Sequence, residues 1–296
     1  MRLCSIDNFA KCALILSSIT LSGCLLPEQS GDEDAEPSVG KLPAKDHEQA
    51  SQEIFLSRFA SHEPIYFAVG FNEITNAKFQ FSFKYRVADP EGLLTDVAPG
   101  FWSGIHFGYT QTSFWDLESA SAPFFDTNFR PSLFWFRDRI EKYSDDDLEF
   151  GFESGFEHES NGKGGLESRS LNIFYVRPTW NWNIGDDDHI EVAPKVWAYL
   201  GDLDDNTGIE DFRGYFQLRT RAYDENGLQI SSELRIGADT DHGYHQLDLS
   251  YPLNRLFYGN LGAYLHLQYF NGWGESLRTF NIKTPSQFRF GVMLVR

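Results

Sequence analysis

A strict two-residue alternation of side chains constrains this chain more than any other feature. Between Lys78 and Arg86, aromatic residues alternate with polar or charged residues without a break. Such a segment forms a β-strand with one apolar face and one polar face. The pattern recurs along the chain and predicts twelve strands. They cover approximately residues 64–72, 77–88, 100–115, 130–138, 146–160, 169–183, 189–201, 212–223, 228–237, 243–253, 259–272 and 286–296.

The N-terminus has the layout of an export signal. Arg2 and Lys11 supply basic charge, and an apolar run then leads to Leu21–Cys24. The sequence Leu-Ser-Gly-Cys is similar to a bacterial lipobox, in which the cysteine is acylated and becomes the mature N-terminus. We therefore expect a signal peptide of the lipoprotein type over residues 1–23 and lipidation of Cys24. An ordinary signal peptide followed by a chance cysteine is the alternative.

An acidic segment follows the signal. Between residues 25 and 51, seven acids face two lysines, and the segment has no hydrophobic periodicity. A segment of this kind cannot bury enough apolar surface to fold. We therefore expect a flexible acidic tether over residues 24–59, and a solvated spacer without a partner is the favoured interpretation.

The whole chain carries a formal charge of −18, which argues against nucleic-acid binding because that needs a basic face.

The strand count and the export signal together predict a membrane barrel over residues 60–296. Beyond the N-terminus no stretch approaches the roughly 20 apolar residues of a spanning helix, whereas several strands reach the roughly 9–11 residues that cross a bilayer at a tilt. A spanning sheet has to close because hydrocarbon offers the backbone no hydrogen-bond partners. We expect an all-β fold, a 12-stranded antiparallel transmembrane β-barrel of the outer membrane. A soluble β-sandwich, or a pair of them, is the alternative.

Parity places three polar residues on the lipid face. In the strand 146–160, four acids share one parity and must face the interior, so the even-numbered residues face lipid. His158 and Ser160 fall on that face, and Asn172 shares the parity of the outward aromatic residues in the next strand. With a periplasmic N-terminus, the connection between these strands lies outside. The three side chains are therefore expected to meet on the external wall. The four acids are Glu149, Glu153, Glu157 and Glu159.

These three residue types permit nucleophilic catalysis. A serine is a weak nucleophile until a neighbouring base takes its proton. His158 supplies the base, and Asn172 can fix the histidine tautomer without placing a charge at the bilayer surface. The substrate of a site that faces hydrocarbon would be a lipid. Spacing alone favours the alternative, in which His158 and Ser160 are only interfacial polar residues.

The motif around these residues resembles the bacterial outer membrane phospholipase A family. Residues His158–Lys163 and Ser168–Asn172 match the family pattern His-x-Ser-Asn-Gly-(Arg/Lys), then Ser-Arg-Ser-x-Asn. The similarity covers roughly residues 60–296. It implies a twelve-stranded barrel that hydrolyses acyl esters of phospholipids and lysophospholipids, depends on calcium and is active as a homodimer. Further matches are Tyr109–Gln111, Pro123–Phe124, Thr127–Asn128, Asp204–Asn206 and Gly274–Leu277.

The resemblance also implies roles for single residues. It makes Ser160 the nucleophile, His158 the general base and acid, and Asn172 the residue that orients the histidine. The backbone N–H of Gly162 would line the oxyanion hole. The matching glutamine in the family bonds to its twin across the dimer interface, which implies an interface role for Gln111. An isolated glutamine near the surface is the alternative there.

A calcium site is implied between two subunits. Its ligands would be the backbone oxygen of Lys163, the hydroxyl of Ser168 and the partner subunit's Ser121 backbone oxygen, with water completing the shell. Asp205 matches a residue linked to a calcium site in the monomeric form, and a solvated loop acid is an equal alternative. Gly165 stands where the family often has an acid, which puts that second site in doubt.

The sequence therefore predicts a calcium-dependent phospholipase A1/A2 in the outer membrane of a Gram-negative bacterium, with its active site toward the outer leaflet. Two rivals share the architecture. One is a narrow porin-like barrel, and the other is a structural barrel lipoprotein without hydrolase activity.

Overall fold

The computed structural model describes residues 52–70, 76–88, 98, 101–257, 259 and 261–296. The expected signal peptide, Cys24 and most of the expected tether lie outside the described residues.

Twelve of the thirteen strands in the described part of the chain close into a barrel, which confirms the predicted 12-stranded antiparallel architecture. Strands β2 to β13 pair antiparallel in chain order, and β13 pairs with β2. The short β1 pairs with β3. The strands are Phe59–Ala60 (β1), Ile65–Gly70 (β2), Asn76–Arg86 (β3), Ile105–Asp116 (β4), Phe124–Arg137 (β5), Leu148–Ser160 (β6), Ser170–Asn183 (β7), Asp188–Leu200 (β8), Phe216–Asp224 (β9), Gln229–Ile236 (β10), Gly243–Pro252 (β11), Tyr264–Trp273 (β12) and Lys283–Val295 (β13). The end of the barrel where β6 meets β7 is called the outer end below.

The two faces of the sheet follow the predicted parity. Along β6, Glu153 and Glu159 are buried in the lumen, whereas Phe156 is 56% exposed on the outer wall. A wall of this kind suits hydrocarbon outside and polar contacts inside. Other exposed apolar residues of the wall are Phe107, Leu133, Phe174, Leu267, Phe288, Phe290 and Val292.

Strand β5 begins earlier than the alternation indicates. It starts at Phe124, whereas the expected strand starts at residue 130. The register with β4 shifts next to Trp115. Phe114 pairs with Asp126, so a regular ladder would pair Trp115 with Phe125, but Trp115 pairs with Phe124. A β-bulge of this kind adds one residue and changes the parity at Phe124. From Asp126 onward the register is regular, but Thr127 interrupts the apolar face, so the two-residue pattern is weak at the start of the strand.

Short helices lie in two of the connections between barrel strands. They are α1, Ile209–Arg213, between β8 and β9, and α2, Leu253–Leu256, between β11 and β12. Neither is long enough to show a helical period in sequence. Within the described ranges, no helix has the length and apolar character needed to cross a membrane.

Ion pairs fill the lumen. Arg177 donates to Glu153 and to Glu63, both at 2.8 Å. Glu63 also accepts from Arg219 at 2.9 Å, and His62 contacts Glu153 at 3.3 Å. His62 and Glu63 lie between β1 and β2, so the chain that enters the barrel contributes directly to the network.

Replacing Arg177 with alanine should destabilise the barrel strongly. The substitution leaves two buried carboxylates without their main counter-charge, and breaking such a pair typically costs about 3–5 kcal/mol of unfolding free energy. Urea titration of the barrel refolded in detergent or vesicles measures the change. The matched control is Arg139→Ala, because Arg139 pairs with Glu141 and Glu149 at the barrel edge, where ion pairs contribute little. Equal effects of the two substitutions would contradict the importance of the lumen network.

Candidate active site

The β6–β7 hairpin positions the three candidate catalytic residues. His158 lies directly opposite Asn172 in the ladder, and Ser160 lies opposite Ser170. His158 and Asn172 are on the outer wall because their strand neighbours Glu159 and Leu171 are buried in the lumen. Parity therefore fixes the face, and the register of the hairpin fixes which residues are neighbours.

A hydrogen bond joins His158 to Asn172. The distance from His158 Nδ1 to Asn172 Oδ1 is 2.9 Å. Because an amide oxygen can only accept, Nδ1 carries the proton, and in the neutral ring Nε2 then keeps its lone pair. The imidazole is therefore held in the tautomer that can accept a proton at Nε2.

Ser160 lies two residues beyond His158 on the same face of β6. The described structure has no hydrogen bond between its hydroxyl and the ring. In an unliganded hydrolase this contact is often long and tightens only when the substrate binds. The arrangement therefore places a nucleophile and a base side by side at the end of one strand.

Asn161 organises the loop 161–169, a role that the sequence reasoning missed. Its Oδ1 accepts from the N–H groups of Lys163 at 3.2 Å and Arg169 at 3.1 Å. Its Nδ2 donates to the Glu167 carbonyl at 2.8 Å. An asparagine at the start of a tight loop is a turn signal that could have identified it.

Gly162 has a backbone that only glycine adopts easily. Its φ is 65°, and a Cβ there would approach Phe129 Cε2 to 2.9 Å. Its N–H has no hydrogen-bond acceptor in the part of the chain that the structure describes. The loop therefore presents a free amide donor two residues after Ser160, as an oxyanion hole requires.

The β12–β13 connection also holds this loop. Arg278 donates to Glu167 at 2.6 Å and its backbone N–H donates to Asp126 at 3.0 Å. Lys163 also lies 3.6 Å from Glu167. Arg278 was not a candidate residue, because nothing in its local sequence indicates a partner more than 100 residues away.

A buried ion pair lies beneath the candidate site. Glu159, between His158 and Ser160, accepts from Arg213 at 2.9 Å and from Asn128 at 3.0 Å. Burial by itself lowers the pKa of Arg213, but the Glu159 carboxylate raises it above its usual value. Helix α1 thereby ties the β8–β9 connection to the strand that carries the two candidate residues.

The candidate metal ligands are only partly brought together. The Ser168 and Ser170 hydroxyls contact the Asp205 carboxylate at 3.2 and 3.4 Å. Ser121, with a φ of 70°, lies in the β4–β5 connection and has no hydrogen bond to this group in the described structure. Hydroxyl, carbonyl and carboxylate oxygens are the ligands that calcium prefers. Among the described residues, no group of three or more His, Cys, Asp and Glu side chains is placed to hold a metal ion.

Gln111 lies on the outer wall of β4 and is not isolated. Its Oε1 accepts from the Tyr109 hydroxyl at 2.9 Å, and its Nε2 donates to Ser113 Oγ at 3.2 Å. Thr127 donates to the same serine at 3.2 Å. A short row of polar groups thus crosses an otherwise aromatic wall.

Comparison with known sequences identifies one family. The sequence model of phospholipase A1 matches residues 46–294. The phospholipase A1 of Escherichia coli K12 is 33% identical over 191 residues, which cover 63% of this chain and 60% of that protein. The phospholipase A1 of Klebsiella pneumoniae is 33% identical over 223 residues, 74% of this chain and 69% of that protein. The chain thus spans about 60% of the length of the Escherichia coli relative.

Solved structures of outer membrane phospholipases are similar to this barrel. The outer membrane phospholipase A from Escherichia coli superposes with a TM-score of 0.65 and 26% identity, covering 80% of this chain and 91% of that one. The Salmonella typhi outer membrane phospholipase dimer with bound calcium gives a TM-score of 0.64, with the same identity and coverage.

Replacing Asn161 with alanine should loosen the loop 161–169. The substitution removes three hydrogen bonds, each worth about 0.5–1.5 kcal/mol. Amide hydrogen exchange at Lys163 and Arg169 should therefore accelerate by at least about tenfold, measured by mass spectrometry of loop peptides. Asn172→Ala is the control, because Asn172 bonds to His158 and not to the loop. Unchanged exchange in Asn161→Ala would show that other contacts hold the loop.

Proposed function

Because this chain belongs to the phospholipase A1 family, we propose that it hydrolyses the acyl ester bonds of phospholipids and lysophospholipids. The barrel resides in the outer membrane, and the proposed reaction takes place at the outer leaflet. One observation carries the proposal, namely the His158–Asn172 hydrogen bond beside Ser160 on the lipid-facing wall. A reaction centre on that wall meets the ester bond of a membrane lipid without drawing the lipid into the polar lumen.

The reaction proceeds through an acyl-serine. His158 Nε2 takes the proton of Ser160 as the serine oxygen attacks the ester carbonyl carbon. The carbonyl oxygen becomes an oxyanion, and the Gly162 N–H donates to it. His158 then gives its proton to the departing alcohol oxygen, which breaks the ester bond. Water attacks the acyl-serine with His158 again as the base, so that a fatty acid leaves and the serine is restored.

Asn172 supports the base without adding charge. Its oxygen holds Nδ1–H of His158 at 2.9 Å, which keeps Nε2 directed at the nucleophile. A carboxylate in this position would stabilise the imidazolium more strongly, but an ionised group is costly at the edge of hydrocarbon. The neutral amide therefore suits the position of the site on the wall.

We propose calcium as the cofactor, bound between two subunits. The oxygens that support it are the Ser168 hydroxyl, the Lys163 carbonyl and the partner subunit's Ser121 carbonyl. When bound, the ion would supply positive charge that stabilises an oxyanion. The contact of Asp205 with Ser168 and Ser170 supports a separate binding mode in the single subunit.

The active form in this proposal is a homodimer that uses the wall around Gln111. Polar groups are costly in hydrocarbon unless they are paired. The amide of Gln111 bonds to Tyr109 and Ser113 of its own chain, so pairing with the partner exchanges these bonds.

A passive pore is not favoured, because the Arg177 and Arg219 ion pairs cross the lumen.

Replacing Ser160 with alanine should abolish lipid hydrolysis. Loss of the nucleophile in a serine hydrolase lowers kcat by about 10⁴-fold or more. Fatty-acid release from mixed micelles with calcium measures the rate, and heat-dependent gel migration checks that the barrel is folded. The matched control is Ser154→Ala, because Ser154 faces outward on the same strand and bonds only to the Tyr175 carbonyl. Full activity of Ser160→Ala would remove the proposed mechanism.

Removal of calcium by chelation should abolish fatty-acid release by the wild-type protein. EDTA removes the charge that assists the oxyanion, so fatty-acid release should fall to the level of Ser160→Ala and return when calcium is restored. Magnesium is the control, because it is smaller and releases its water reluctantly. Activity that is indifferent to EDTA would remove calcium from the proposal and leave the serine mechanism intact.

A further inference from the structure

A second group of polar side chains lies on the lipid-facing wall, far from the candidate active site. Ser232 Oγ and His245 Nε2 are 2.9 Å apart. They belong to β10 and β11, whereas His158 belongs to β6. Strand β11 is five steps from β6 around the twelve-stranded barrel. The proposed function uses neither residue.

The orientation of this pair follows from its strand neighbours. Ser231 and Glu233 on β10, and Tyr244 and Gln246 on β11, line the cavity in the lumen. Ser232 and His245 alternate with these residues and therefore face outward. The apolar Leu234, on the same face of β10, is 39% exposed.

The polar group continues onto the next strands. Asn271 lies directly opposite His245 in the β11–β12 ladder. Its Nδ2 donates to Ser286 Oγ at 3.2 Å, and the Tyr269 hydroxyl lies at the same distance from that oxygen. The register of β12 with β13 shifts at Asn271, and such bulges often re-aim a side chain. We call Ser232, His245, Tyr269, Asn271 and Ser286 the second polar cluster.

This cluster is costly where it lies. Hydroxyl, amide and imidazole groups lose part of their water where the wall passes from the interface into hydrocarbon, and hydrogen bonds within the protein recover only part of that loss. Apolar side chains at these positions would suit the wall better. An ionisable residue at membrane depth is by default a candidate for a binding or catalytic role, because selection otherwise removes it.

The depth of the cluster indicates what it contacts. His245 lies two residues from the outer end of β11, which begins at Gly243. His158 lies two residues from the outer end of β6, which ends at Ser160. At about 3.3 Å per residue, both rings sit at a similar distance below the outer strand ends. If the proposed function holds, this is the depth at which the ester groups of a membrane lipid meet the wall.

We propose that the second polar cluster binds a diacyl membrane lipid through its ester carbonyl oxygens. The inference rests on the proposed function only for the depth of the ester groups. The cluster offers the donors that carbonyl oxygens need, because a serine hydroxyl, an amide N–H, a phenol hydroxyl and an imidazole N–H stand side by side. The flanking apolar wall receives the acyl chains.

The cluster binds and does not hydrolyse. Ser232 pairs with Thr220 and Leu247 inside the ladder, and His245 pairs with Leu234 and Asn271. The backbone N–H groups around them are therefore engaged in the sheet and cannot serve as oxyanion donors. Gly162, by contrast, lies in a loop where its N–H is free.

A comparison of ester and ether lipids tests the proposal. The folded barrel carrying Ser160→Ala, which leaves ester lipids intact, is equilibrated in detergent with a diester phosphatidylglycerol or with its diether analogue. The two lipids share headgroup and chains, but only the diester has carbonyl oxygens. Native mass spectrometry measures the lipid retained on each barrel, and we expect the diester to bind about tenfold more tightly. Equal binding of the two lipids overturns the proposal.

Variants of the second polar cluster test whether the preference for the diester lipid arises there. Ser232→Ala combined with His245→Leu should remove the preference for the diester, and Asn271→Leu alone should weaken it. Val292→Ala, a change on the same wall at a residue that lies opposite the apolar Leu265 and Phe67, should keep it. These variants should fold, because they place apolar groups toward lipid, and gel migration checks this. A preference that survives in the double variant overturns the proposal.

The test separates this inference from the proposed function. Fatty-acid release by the wild type is measured independently, so loss of the diester preference leaves the hydrolase proposal standing, and an inactive wild type leaves the binding result readable. Hydrolysis by Ser160→Ala that depends on Ser232 would overturn the assignment as a binding site, since it would reveal a second reaction centre.

Discussion

The lack of hydrogen-bond partners in hydrocarbon is the constraint on which the whole structure depends. Because lipid cannot satisfy a backbone N–H or C=O, the sheet has to close, and β13 returns to pair with β2. Once the ladder is closed, each residue can only face in or out, and the choice alternates along the chain. A polar residue on the outer face is then an exception that needs a reason. His158 and Asn172 are such exceptions, and they meet.

The same alternation gives one strand segment two tasks. Glu159 faces the lumen between His158 and Ser160, and Arg213 and Asn128 hold its carboxylate. Breaking such a buried pair is costly, so this part of β6 is strongly fixed. The outward residues on either side inherit that rigidity without making any contact of their own in the lumen. A precise site on the lipid-facing wall thus rests on ion pairs inside the barrel.

Most of the fold could be predicted from the two-residue period of the side chains. The side of the sheet on which each candidate residue lies could be predicted from its odd or even position. Both are local properties of the chain. The twelve strands, the inward acids of β6 and the outward placement of His158 could all be derived in this way. The start of β5 could not, because the bulge opposite Trp115 changes the parity at Phe124 and Thr127 interrupts the apolar face after it. Arg213 and Arg278 were also missed, because their partners Glu159 and Glu167 lie far away in sequence and depend on how the closed barrel aligns its strands.

The ladder also explains where on the wall catalysis is possible. Inside a regular ladder a strand N–H has a carbonyl partner, so it is not available for a developing oxyanion. A free amide donor arises where the chain leaves the ladder, as it does at Gly162, which has a φ of 65° and lies close against Phe129. A nucleophile that needs such a donor therefore has to stand at the end of a strand, where Ser160 is the last residue of β6. Polar groups within the ladder, such as Ser232 and His245, can hold a lipid but lack the donor that would let them cleave it.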